Sequence, residues 1–226
     1  MPTRDDVFQN GDYYHIFNKT IDGKKIFLSS RVAYEFIRTF FYYRSSKATL
    51  RFSKFKDLPL IEQSEKEKQL GFKKYFRVGI MAYCLMPNHY HILLRQMQKN
   101  GVITFMANIL NSITRYTNIL NARKGPIFLT QFKSKKMHTE EQLVYVARYI
   151  HTNPFAGSIV SNVEAIFKYP YSSIQSYIHK NINNLETDLV MNYFKNDLTR
   201  FHHFIEHNAD DQKKYEYLKY TDKWLV

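Results

Sequence analysis

The chain is 226 residues long, with 33 Lys and Arg against 20 Asp and Glu and a formal charge of +13, long enough for one sizeable core and an appended tail. Its one cysteine, Cys84, excludes a disulfide framework and a cysteine-held zinc, and its longest apolar run, around residues 78–86, falls far short of the roughly 18–20 residues a membrane helix needs. Aromatics are 16% of residues, and positive charge interleaved with Tyr and Phe suits a polyanion whose bases can stack, so nucleic acid is the leading partner class and no membrane is expected.

The first residues, Met-Pro-Thr-Arg-Asp-Asp, show no apolar segment of a secretory signal. A soluble, cytoplasmic protein is the expectation. Residues 13–18, Tyr-Tyr-His-Ile-Phe-Asn, have strand composition, and Asp22-Gly23 reads as a turn. Ser29 or Ser30 then caps a helix through Tyr43, with Val32, Phe36, Thr39 and Phe40 at helical spacing. Residues 44–77 hold ten basic residues against four acids, with Pro59 in the middle. They read as a solvated basic excursion, partly helical over 61–70.

Phe76 to Leu85 predicts a central strand buried on both faces, leading through the turn signal Pro87-Asn88 into an antiparallel partner beginning His89-Tyr90-His91. Strand side chains alternate, so His89 and His91 point one way while Tyr90, Ile92 and Leu94 enter a core. Such an imidazole pair is suited to a divalent metal. Gly101 to Ala122 follows as a helix with Ile103, Met106, Ala107, Leu110, Ile113, Tyr116, Thr117 and Leu120 on the buried stripe and Arg115 on the other face. A short strand is predicted over Ile127 to Phe132, before the basic Lys133, Lys135 and Lys136.

Thr139-Glu140-Glu141-Gln142 is a capping box opening a helix whose stripe is Leu143, Val146, Ala147 and Ile150. At about 100° per residue, Tyr149 falls about 240° round from Leu143, off that stripe. Asn153 follows one turn later, only about 40° further round, so a phenol and an amide project together where Pro154 is expected to stop the helix. Phe155 to Val160 reads as a turn into a further extended piece, and residues 169–173, Tyr-Pro-Tyr-Ser-Ser, cap a short helix to about Ile178. His203 and His207 share i, i+4 spacing that can bind metal, without a nearby carboxylate motif.

The run from Leu85 through Pro87-Asn88-His89-Tyr90-His91 to Leu94 joins other pieces in order: Tyr14-His15-Ile16 with Ile26-Phe27, Arg115-Tyr116-Thr117, Phe132-Lys133-Ser134, Arg148-Tyr149-Ile150-His151-Thr152-Asn153-Pro154, and the Tyr-Pro-Tyr-Ser-Ser of 169–173. Together they resemble the single-tyrosine HUH transposases, specifically the REP-associated tyrosine transposases, over roughly residues 13–178. The resemblance implies an α+β, ferredoxin-like antiparallel sheet with helices packed on one face; beyond it, 179–226 turns Asn-rich and then charged and aromatic, and is expected to form a helical C-terminal extension. It also implies Tyr149 as nucleophile, with His89, His91 and an oxygen of Asn153 holding Mg²⁺ or Mn²⁺.

The implied substrate is single-stranded DNA bearing a hairpin, cut through a transient 5′-phosphotyrosine. Arg115, Lys133, Lys135 and Arg148 are candidate contacts to that DNA. The resemblance also admits a homodimer, since some relatives build each site from two subunits. One departure is Gln131, where relatives often carry Arg before Phe-Lys, and the basic excursion of about 44–75 has the character of an insertion. Taken without the resemblance, the residues leave open a non-cleaving nucleic-acid binder and a nuclease that uses water.

Overall fold

A computed structural model of the chain describes residues 7–179 and 185–207. Residues 1–6, 180–184 and 208–226, which include the N-terminal segment and much of the expected C-terminal extension, lie outside the described residues. Strand β1 (Tyr13–Lys19) leads through two 3-10 turns into helix α1 (Ser30–Tyr43), where the Ser29 hydroxyl accepts from the Val32 amide. Two helices, α2 (Phe52–Lys56) and α3 (Leu60–Leu70), precede the hairpin of β2 (Val78–Met86) and β3 (His89–Gln96). Then come α4 (Gly101–Leu120), β4 (Lys133–Met137), α5 (Glu140–Ala156), α6 (Ile174–Ile178), α7 (Asp188–Tyr193) and α8 (Leu198–Glu206). Among the described residues, no helix is long and apolar enough to cross a membrane.

The four strands form one sheet in the order β2-β3-β1-β4, every neighbour antiparallel. With the chain running strand, helix, strand, strand, helix, strand, this is the ferredoxin-like arrangement that the sequence implied. Period-two alternation divides the sheet between two cores. Tyr14, Ile16, Tyr90, Ile92 and Leu94 face α1 and α4, and all five are fully buried. Leu93, Met81, Cys84 and Met137 face the other way, against Leu143, Ala147 and Ile150 of α5. The expected helices on one face are α1 and α4; α5 adds a second layer, and α7 and α8 bury Val190, Phe201 and Ile205 in that same apolar cluster.

The outer edge of β2 is covered by the segment that follows α5. Leu85 N–H donates to the Tyr171 carbonyl at 2.9 Å, Ser173 N–H to the Tyr83 carbonyl at 2.9 Å, and Tyr169 Oη to the Leu85 carbonyl at 2.7 Å. An edge strand is thereby withheld from other chains.

Several expected details differ. The strand predicted over Ile127–Phe132 lies further on, at Lys133–Met137, because Ile127, Phe128 and Phe132 reach the α1-side core from irregular backbone while the edge strand needs only one apolar face. The α4 stripe is as expected at Met106, Ile113 and Thr117, which are buried, but its remaining positions shift: Val102, Phe105 and Ile109 are buried in place of Ile103, Ala107 and Leu120, which are exposed. Helix α5 does not stop at Pro154 but continues to Ala156. The expected extended piece after it is a run of bends and a 3-10 turn, Glu164–Lys168.

The basic excursion is solvated along α3, where only Leu70 is buried, but Phe52 and Phe55 of α2 are buried against Tyr42. Its two ends are pinned together: Arg77 N–H donates to the Arg44 carbonyl at 2.6 Å, the Arg77 guanidinium donates to the Ser45 carbonyl, and the buried Arg44 guanidinium lies over Phe76. Arg44 and Arg77 therefore tie the two ends of the excursion to the fold.

Candidate active site

The α5-facing side of the sheet carries His15 and Phe17 on β1, His89 and His91 on β3, and Lys133 and Lys135 on β4. The register sets these beside one another: Phe17 opposite both His91 and Lys133, and His15 opposite Lys135. Both lysines are exposed along the rim of that face. Helix α5 crosses it and contributes Tyr149.

Each histidine of β3 is held through Nδ1. The ring of His89 meets the Asn88 amide oxygen at 2.7 Å, and an amide oxygen only accepts, so the proton sits on Nδ1 and the lone pair on Nε2. His91 Nδ1 meets His15 Nε2 at 2.9 Å within the buried face. Two ring nitrogens in contact share one proton. If it rests on His91 Nδ1, the lone pair of His91 is at Nε2; if it rests on His15 Nε2, His91 carries its own proton at Nε2. Burial, reinforced by the Lys135 ammonium, holds His15 down to about 4, so this imidazole is neutral at ordinary pH.

The Tyr149 ring stands edge-on to His91 with centroids 5.4 Å apart, and 6.0 Å from His15; His89 and His91 are themselves 5.2 Å apart. The phenol thus meets His91 and His15 within one chain, with His89 beside His91. Asn153 is buried, and its Nδ2 donates to the Tyr149 carbonyl at 2.6 Å, which leaves Oδ1 as the side-chain atom suited to an ion. One turn on, a Cβ added at Gly157 would come 2.6 Å from Met86 Cε, and Met86 pairs with His89. The C-terminal turn of α5, with Asn153 in it, therefore lies toward the turn end of the hairpin.

The four candidate DNA contacts divide. Lys133 and Lys135 are on the rim of this face. Arg115 is exposed on α4, across the sheet from it. Arg148 has its guanidinium over Tyr145 and Phe204, 4.8 and 4.7 Å from the ring centroids, which commits it to the contact between α5 and α8. His203 and His207 stack with centroids 4.4 Å apart on α8. Among the described residues, no three of His, Cys, Asp and Glu gather into a metal-ligand cluster.

His15 and Phe17 are part of the face; the sequence admitted His15 either as a strand residue with a local partner or as one near the metal, and gave no signal for Phe17. Phe17 lies 5.9 Å from His91 at 28°, a nearly parallel aromatic surface beside the histidines. Neither can be placed without knowing that β1 pairs with β3.

No protein-family model matches the chain, and no curated protein matches it by sequence. Among solved structures, it is similar to a REP-associated tyrosine transposase bound to a REP hairpin, at 12% identity and a TM-score of 0.53, covering 80% of this chain and 87% of that one. At this identity the likeness is one of fold, and it places the chain's α+β architecture beside that of the transposase.

Proposed function

We propose that the chain is a transposase-type enzyme that cuts and rejoins single-stranded, hairpin-bearing DNA through Tyr149. The observation that carries the reading is Tyr149 packed edge-on against His91, with His89 next to His91 on the same face of the sheet. The fold shared with a hairpin-bound transposase supports the substrate class.

In the reaction, the Tyr149 phenol attacks the scissile phosphorus in line. An Oη–P bond forms as the P–O3′ bond breaks, the phenol proton is lost, and the departing 3′ oxygen gains one. The product is a 5′-phosphotyrosine and a free 3′-OH. Because the ester is retained, a second 3′-OH reverses the step and joins a new strand without another energy source. A free phenol has a pKa near 10, so only about one in a thousand is ionised at pH 7. The attack accordingly needs electrostatic help.

The donor set fits Mg²⁺ or Mn²⁺. His89 would ligate through Nε2, since Asn88 engages Nδ1; His91 would do so through Nε2 when His15 accepts its Nδ1 proton; and Asn153 Oδ1 supplies a hard oxygen. Such an ion, when bound, supplies Lewis-acid stabilisation of the phosphate's developing charge. The protein's own part is to hold the phenol against His91, to fix the His89 tautomer through Asn88, and to present Lys133, Lys135 and the Phe17 ring to the strand.

The test is a denaturing gel of the protein mixed with labelled, hairpin-bearing single-stranded DNA and Mn²⁺, beside Tyr149→Phe. A covalent adduct that disappears in the variant, while binding persists, is expected. Cleavage without adduct in both proteins would make it a water-using nuclease, and binding with neither would make it a non-cleaving binder.

A further inference from the structure

The strand register places one more chemical group at the candidate site. Lys19, the last residue of β1, is paired directly with His89. Residues opposite one another in an antiparallel pair project from the same face, with Cβ atoms about 4.5–5.5 Å apart. Lys19 therefore rises from the α5-facing side of the sheet, in line with His15 and Phe17 and at the hairpin-turn end of that row.

Its backbone is held from both sides. Leu129 N–H donates to the Lys19 carbonyl at 3.0 Å, and the next residue, Thr20, donates its N–H to the Asn88 carbonyl at 2.9 Å. Asn88 is also the residue whose side chain engages His89. Lys19 and His89 thus stand on one fixed frame, and what remains free to adjust is the lysine's four-carbon stem. The side chain is exposed, and among the described residues no carboxylate pairs with it. Lys133 and Lys135 stand on β4, one strand further from β3, and Arg95 lies over Tyr13 at the other end of β3.

The proposed reaction needs a cation at this place. His89, His91 and Asn153 are uncharged groups when they ligate an ion, so they add no charge against that which grows on the phosphate oxygens as the phenol attacks. A phosphate beside His89 and His91 is within reach of a side chain anchored directly across from His89. We propose that Lys19 is a further catalytic residue: its ammonium donates to a non-bridging oxygen of the scissile phosphate and counters the charge gained as the Oη–P bond forms and the P–O3′ bond breaks. It gives up no proton in doing so and is ready unchanged for the rejoining step. This inference rests on the reading of the chain as a tyrosine strand transferase.

The experiment follows single-turnover adduct formation by the full chain with Mn²⁺ and saturating, labelled, hairpin-bearing DNA. A preorganised donor to developing charge is worth about a hundredfold to a thousandfold in rate, and because Lys19 is exposed, Lys19→Gln should slow the step by about tenfold to a hundredfold. Lys19→Arg should recover most of the loss, and Mn²⁺ affinity should be unchanged in both variants. A second measurement reads contact with the phosphate and not folding: in the Tyr149→Phe background, without added metal, anisotropy compares DNA carrying a normal or an uncharged methylphosphonate linkage at the position the wild type cuts. Loss of that one charge should weaken binding about twofold to fivefold with Lys19 present, the range of an exposed ion pair, and have no effect once Lys19→Gln is added. Equal adduct rates in wild type and Lys19→Gln, or a methylphosphonate penalty undiminished by Lys19→Gln, overturns this inference alone. A wild type that binds the DNA without forming any adduct overturns the parent reading, and the catalytic role of Lys19 with it.

Discussion

Replacing His15 with Leu should weaken metal binding without touching any proposed ligand. His15 Nε2 lies 2.9 Å from His91 Nδ1, and the two residues are only 8% and 6% exposed, so water cannot readily take over the contact. A partner of this kind is worth about tenfold to a hundredfold in metal affinity, roughly 1.4 to 2.8 kcal/mol. The burial favours the upper half of that range. His15→Gln offers an amide oxygen as acceptor and should recover much of the loss. Isothermal titration with Mn²⁺ reads the affinity, and ¹⁵N NMR of the histidine rings reads the tautomer. The wild type should show His91 protonated at Nδ1, and His15→Leu should shift that population. Equal Mn²⁺ affinity in wild type and His15→Leu, with the His91 tautomer unchanged, would refute the reasoning.

Other outcomes follow from packing and charge. A Cβ at Gly101 would overlap the Arg77 carbonyl oxygen, which already accepts from Met97 and Gln98; Gly101→Ala should therefore cost about 1–3 kcal/mol of stability in a urea titration, and a change within 0.3 kcal/mol would show that the contact relaxes freely. Cys84 is fully buried and burial raises its thiol pKa, so alkylation at neutral pH should be negligible until denaturant unfolds the chain, and rapid labelling of the native protein would contradict the two-layer packing. Lys133→Gln with Lys135→Gln should reduce the slope of log affinity against log salt by roughly 1.4, at about 0.7 per phosphate contact on a single strand; an unaltered slope would remove both from the DNA path.

Much of this was legible in the sequence because period-two alternation is unambiguous around a short turn. With Tyr90, Ile92 and Leu94 committed to one core, His89 and His91 had only one face to take, and the structure has them there. The capping box likewise fixed the phase of α5, with the Thr139 hydroxyl accepting from Gln142 N–H at 3.1 Å, and Tyr149 followed from that phase. The sequence was less informative where burial depends on a distant partner. Edge strand β4 reads Lys-Ser-Lys-Lys-Met, which has no strand-like composition, and pairing with β1 alone identifies it. In α4 an aliphatic residue lies on nearly every side, so the period was clear and the phase only partly so, with Met106, Ile113 and Thr117 buried as expected and Ile103 and Leu120 exposed. Phe17 gained its significance only from the strand register, which sets it opposite His91.

Pro154 illustrates a local rule overridden by tertiary contacts. Proline removes one helical donor and disfavours the helix before it, yet Ile159 and Val160 amides bond to the Pro154 carbonyl at 2.7 and 3.1 Å, and Gly157 N–H bonds to that of Asn153 at 2.8 Å. These contacts carry the helix past the proline and keep Asn153 inside its last turns. The continued helix is what brings the amide toward the hairpin turn instead of releasing it into a loop.

The central claim is that one particular phenol among the 18 tyrosines becomes bonded to DNA. It is tested most directly by trapping the protein on hairpin-bearing single-stranded DNA with Mn²⁺, digesting both polymers, and locating the nucleotide-modified peptide by mass spectrometry. The account predicts a 5′-linked nucleotide on Tyr149 and on no other residue. Modification at a different tyrosine, or DNA cut with every tyrosine unmodified at all times sampled, would contradict it.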